Sequence, residues 1–167
     1  MLFIIAAANC QDTVAVYSDY VVYKGDTLNR FNAEGIKTGG WLMLRADTIT
    51  SARITDHPPS TNTSRRPIYK AIAKGQYLNG QKQGKWTFGH NDFKKYYAEV
   101  SYKDNKLLNP ILFYAAHNQL WLKAEDINGK WTYYLWDKDK DTYVDTHQKY
   151  TLDFLFEMCG HDFNKIK

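Results

Sequence analysis

Apolar and polar positions alternate with period two along most of this chain, the mark of half-buried β-strands. Trp41 and Met43 share a face, as do Trp86 and Phe88, Ile111 and Phe113, and Trp131, Tyr133 and Leu135. Alternating segments also cover residues 20–23, 98–102 and 120–124. Between them stand turn formers: Asn79-Gly80, Asn91-Asp92, Asp104-Asn105 and Asn128-Gly129. These residue types tolerate a left-handed backbone and close tight hairpins. The pattern predicts an all-β fold of repeated antiparallel β-hairpins forming an extended twisted sheet. Near the C-terminus the period changes. Leu152, Leu155, Phe156 and Cys159 follow helical spacing, and Gly160 stands where a helix would stop. A short C-terminal helix capping the sheet is one reading; a final strand over residues 150–158 is the other.

A sequence repeat accompanies the strands. Gly35-Ile36-Lys37-Thr38-Gly39-Gly40-Trp41 and Gly80-Gln81-Lys82-Gln83-Gly84-Lys85-Trp86 both read G-x-K-x-G-x-W, 45 residues apart. Residues 105–111 form a third copy with Asn105 and Asn109 in the glycine slots, and Gly129-Lys130-Trp131 a partial fourth. Asparagine replaces glycine most easily where φ is positive, so these slots, Gly84 among them, are predicted turn positions. On this count Trp41, Trp86 and Trp131 are equivalent. The unit is about 20–25 residues long, so the first interval holds two units, or one unit and an insertion. Residues 45–68 read as the insertion: His57-Pro58-Pro59-Ser60 and Asn62-Thr63-Ser64 concentrate breakers and polar residues as a surface loop would.

With 167 residues the chain suits one domain with a real core. Aromatic residues make up 16%, a load that favours strands and argues against disorder. The net charge is +4, but the basic residues are scattered among acidic ones. They form no stripe, so nucleic acid is not an expected partner.

Residues 2–8 are an apolar run followed by small residues at Ala6, Ala8 and Cys10, as a signal peptidase requires. Residues 1–10 therefore read as a signal peptide lacking its charged n-region, with a single β-repeat domain over residues 11–167. A buried first strand is the alternative. The run is too short to span a bilayer. Cys10 stands where a lipid-bearing cysteine would, although Asn9 fits that site poorly; membrane association is expected only if Cys10 is lipidated. Retained unmodified, Cys10 is a candidate disulfide partner for Cys159.

Catalytic and cofactor signatures are missing: no G-x-S-x-G elbow, P-loop or dinucleotide fingerprint occurs. Residues 137–141 alternate Asp and Lys like the start of a calcium loop, but Thr142 and Gln148 occupy the positions that need Gly and Glu. They read as a charged hairpin turn. Cys159, His161 and Asp162 include too few strong ligands for a zinc site. His90, His117 and His147 are isolated, and Glu99 and Glu125 stand out as a carboxylate pair only if the fold unites them. No catalytic residue, metal or cofactor is assigned.

At residues 77–86, Tyr-Leu-Asn-Gly-Gln-Lys-Gln-Gly-Lys-Trp, the chain resembles the MORN-type repeat in its exported bacterial variant. The resemblance covers roughly residues 20–44 and 74–136. It implies stacked β-hairpins, no enzyme activity, and a role as scaffold, surface binder or lipid-associated module. Some members are labelled antitoxin components. The repeated tryptophans first read as the residues that pack one hairpin on the next. Exposed instead, Trp41, Trp86, Trp131, Tyr96 and Tyr133 would make a binding face, since Tyr96-Tyr97 and Tyr133-Tyr134 each point one ring outward. The leading expectation is a non-catalytic cell-envelope or secreted interaction protein, in the periplasm, outer membrane-associated or extracellular. Its partner is another protein or an envelope component. The alternatives are a carbohydrate- or small-ligand-binding β module and an antitoxin- or immunity-type binder.

Overall fold

A computed structural model describes residues 14–16, 20–56, 59–90, 93–146 and 150–166, with the side chains of 14–15, 48–56 and 59–67 outside that description. The signal-peptide reading, Cys10, the Asn91-Asp92 turn and His147 therefore lie outside the described residues.

Strands β1 (Val14–Val16), β2 (Val21–Tyr23) and β3 (Asp26–Leu28) form a small antiparallel sheet. The main sheet has nine strands: β4 (Arg30–Phe31), β5 (Lys37–Asp56), β6 (Pro59–Leu78), β7 (Gln81–Gly89), β8 (Tyr97–Lys103), β9 (Lys106–Ala115), β10 (Gln119–Ile127), β11 (Lys130–Asp137) and β12 (Thr142–Asp145). Their order in space is their order in sequence, and every pairing is antiparallel. The chain is thus an all-β meander of hairpins, with one short helix, α1 (Leu152–Met158), after it.

The repeat turns lie together at one end of the sheet. Asn79 and Gly80 have φ of 50° and 76°, Asp104 and Asn105 of 52° and 64°, Asn128 and Gly129 of 55° and 80°. Two successive positive φ values give the hairpin turn whose twist matches its strands. This geometry corrects the fourth copy. Gly129 closes a turn with Asn128 just as Gly80 does with Asn79, so Trp131 takes the place of Lys82, and Leu135 that of Trp86. In the second slot, Gly84 has φ +63°, but Asn109 is absent from the positive-φ residues. Its side chain instead bridges to the next strand, donating to the Asp126 carbonyl at 2.8 Å and accepting from the Asp126 N–H at 3.0 Å.

The segment read as an insertion is strand rather than surface loop wherever it is described. Its described residues, 45–56 and 59–68, lie in β5 and β6, which stay paired from Gly39↔Tyr77 to Asp56↔Pro59, while His57 and Pro58 lie outside the described residues. Thr48, Ile49, Thr50, Ile54 and Thr55 are β-branched and favour extended backbone. The breakers are tolerated because β7 pairs with β6 only between Leu78 and Ala73. Pro59 opens its strand and Pro67 lies beyond the reach of β7, places where a proline forfeits no ladder bond on that side.

One face of the sheet carries Ala73, Trp86, Phe88, Val100, Tyr102, Ile111, Phe113 and Leu122, all buried. Helix α1 and its C-cap residue cover them with Leu152, Leu155, Phe156 and Cys159, the four positions of the helical spacing. Thr151 caps the helix, its hydroxyl accepting from the Phe154 N–H at 3.2 Å. Gly160, at φ +78°, ends it: its N–H donates to Glu157 at 2.8 Å and the His161 N–H to Phe156 at 2.9 Å. This paired closure requires a left-handed residue at that point. On the opposite face a smaller cluster joins Val21 and Tyr23 of β2 to Leu42 and Ala71 of the main sheet.

Candidate binding surfaces

The repeat has a physical unit. Lys37 Nζ lies 4.9 Å from the Trp41 ring centroid and 5.1 Å from that of Tyr77 on the next strand. One unit later, Lys82 Nζ lies 5.8 Å from Trp86 and 4.7 Å from Tyr102. Each motif lysine thus bridges its own tryptophan and the following strand's tyrosine, an attraction of cation to ring face. Burial, with the neighbouring Lys37 charge adding to it, lowers the Lys82 pKa. The rings meet edge to face in a continuous run, Phe31–Trp41 at 5.3 Å, Trp41–Tyr77 at 5.2 Å and Tyr77–Trp86 at 5.1 Å. The turns are also tied to one another: the Gly80 N–H donates to the Lys37 carbonyl at 3.0 Å, and the Asn105 N–H to that of Lys82 at 3.2 Å.

These contacts place the five candidate aromatics. Trp86 is fully buried, its indole N–H donating to the Gln76 carbonyl at 3.1 Å. Trp41, Trp131 and Tyr133 are half-buried and pack against the main core. Tyr133 meets Tyr150 edge-on at 6.2 Å. Tyr96 is exposed and leans on Trp121 at 6.0 Å, while Tyr97 is buried. The tryptophan repeat is therefore packing, and the five residues do not line one open face.

The aromatic face is nonetheless incompletely covered. A seven-residue helix is about 10 Å long, whereas strands about 4.8 Å apart make nine of them far wider. The cover reaches Ala73 of β6 but leaves much of the β4 and β5 side open. There Phe31 and Met43 remain 51% and 45% exposed, beside half-buried Trp41 and Tyr77. Alternation assigned Met43 to this face correctly, but Phe31 escaped notice because β4 has only two residues.

The opposite face is polar. Across the strands, Lys74, Thr87, Glu99, Leu112, Lys123 and Tyr134 stand in register. Lys85 Nζ lies 3.0 Å from Glu99, which also accepts from the Tyr114 hydroxyl at 3.2 Å. Tyr114 stacks on Tyr97 at 4.7 Å. Burial, then the Glu99 charge, pushes the Tyr114 hydroxyl up to about 12. Lys123 pairs with Glu125 at 3.1 Å and lies over Tyr134 and Tyr143. Glu99 and Glu125 are thus each held by their own lysine rather than by each other.

The remaining titratable groups are dispersed. Asp137 accepts from the N–H groups of Asp139 and Lys140 at 3.1 and 3.2 Å and pairs with Lys140 Nζ at 3.0 Å, the charged turn read from sequence. His117 sits exposed in a turn between β9 and β10. Among the described residues no three His, Cys, Asp or Glu side chains gather as a metal group, and no helix is long and apolar enough to cross a membrane. Cys159 is a free, buried thiol whose pKa burial pushes up to about 12. His90 and His161 both come close to Gly160, and His161 packs edge-on to Phe88 at 5.4 Å. The His161 Nε2–H donates to the Ile72 carbonyl at 2.8 Å.

Burial holds the His161 pKa below its usual 6.5. The unfolded chain therefore takes up this proton first as pH falls, so the contribution is whole above about pH 6.5 and shrinks below it. Urea midpoints should drop from pH 7.5 to 5.0, and His161→Gln should flatten that slope. An unchanged slope in the variant would remove His161 from the account.

No family model, curated protein or solved structure matches the chain.

Proposed function

We propose that this is a non-catalytic, exported interaction protein, a MORN-type hairpin array that binds another protein or an envelope component. One observation carries the reading: the aromatic face runs on past the α1 cover, leaving Phe31 and Met43 exposed beside Trp41 and Tyr77. Large exposed apolar side chains grouped on a sheet mark binding faces. The lysine-bridged aromatic run behind them keeps the surface rigid, which limits the ordering cost of binding. The signal-peptide reading of residues 1–10 supports a partner in the periplasm, at the outer membrane or outside the cell.

A photo-crosslinking residue at position 43 tests this in intact cells, with Lys138, in an exposed turn at the other side of the sheet, as the control position. Position 43 should give discrete adducts that Phe31→Ser weakens severalfold, while position 138 gives none. The same adducts from both positions would refute the assignment.

A further inference from the structure

The β2–β3 hairpin stands over the polar face of the main sheet and leaves a cavity of ≈ 520 Å³ between them. That size falls within the range of small-molecule sites, about 300–1,000 Å³. The lining is mixed in a particular way. Leu28 and Leu42 supply an apolar wall, and Thr87 a buried hydroxyl. Lys85 and Glu99 neutralise each other at 3.0 Å. Lys24 lies over the Tyr23 ring at 5.3 Å. Two further charges of opposite sign remain. Among the described residues Asp26 has neither an ion pair nor a side-chain hydrogen bond, and Lys74 meets only the Phe93 ring, at 5.6 Å. Asp26 comes from the hairpin and Lys74 from the sheet, so the cleft presents an acid and a base from its two walls without pairing them.

We propose that this cleft binds a small zwitterion with an apolar body, the chemistry of a free amino acid or a short peptide. Its carboxylate meets the Lys74 ammonium, its own ammonium meets the Asp26 carboxylate, and its apolar body lies on Leu28 and Leu42. A ligand with one charge satisfies only one of the two groups. Trp41 borders both this cleft and the proposed protein-binding surface, but Asp26 and Lys74 line the cleft and are no part of that surface, so variants at these two positions test the cleft separately.

Isothermal titration of the full chain provides the test, with four probes: leucine, leucyl-leucine, 4-methylpentanoate and 3-methylbutylamine. At least one zwitterion should bind about tenfold or more tighter than both singly charged probes, a difference of about 1.4 kcal/mol. Preference for leucine identifies the amino acid as the source, and preference for leucyl-leucine the peptide. Lys74→Gln and Asp26→Asn should each remove most of the advantage. Both side chains are exposed, so thermal melts of the variants should match the parent. The proposal is overturned if neither zwitterion binds at millimolar concentration. It is overturned equally if the singly charged probes bind as tightly, or if both variants bind like the parent.

Discussion

Replacing Gly75 with Ala should destabilise the protein by about 1–3 kcal/mol or more, although it adds a single methyl group. A Cβ at this position would overlap the Trp86 ring, so one of the two must move. The ring has nowhere to go. It is fully buried, set edge to face against Tyr77 and Tyr102, stacked with Phe88, and tied by its N–H to Gln76. Trp86→Ala alone should cost about 3–5 kcal/mol. The two changes together should cost clearly less than their sum, because the methyl enters the space the indole leaves. Gly84 offers the contrast: nothing lies within 4 Å of its Cβ position, and only its φ of +63° resists a side chain. Gly84→Val should cost about 1–2 kcal/mol through the backbone alone. Denaturant melts of the four variants separate the two causes. Additive losses at positions 75 and 86 would disprove the close contact.

Phe156→Ala should be of similar size, about 3–5 kcal/mol, and should detach α1 from the sheet. Phe156 is fully buried and packs at 5.3 Å on Phe113, 6.3 Å on Phe88 and 5.1 Å on Phe163. Seven residues cannot hold a helix without such packing. Cys159, one position beyond the helix, reports the change. Buried and protonated, it should resist thiol reagents in the parent; in a Cys10→Ser background Phe156→Ala should make it react many times faster. Slow labelling in a variant that still melts cooperatively would mean the helix stays docked without Phe156.

The hairpin turns and the helix end were legible in the sequence because each depends on a few adjacent residues. Asn79-Gly80, Asp104-Asn105 and Gly160 all adopt the backbone their types favour. The long ribbon was misread because polar β-branched residues and prolines resemble a loop until the pairing partners are known. Trp131 was mismatched because a three-residue copy fits either glycine slot, and only the turn geometry decides. Alternation showed which side chains share a face, but not where a short helix on that face would end. The cleft beside Asp26 and Lys74 depends on a hairpin folding back over strands nearly 50 positions later, which no local pattern encodes.

The C-terminal closure also sets an order of events during synthesis. Lys82 Nζ donates to the Ile166 carbonyl at 2.9 Å, and the Tyr102 hydroxyl donates to the same oxygen. The meander needs only neighbouring strands, so it can zip up hairpin by hairpin as the chain emerges. Its greasy face has no cover, however, until residues 150–166 have been made. A product stopped before residue 150 would present Phe88, Ile111 and Phe113 to water on a finished sheet. Such a fragment is a natural client for holding chaperones and a ready substrate for quality-control proteases.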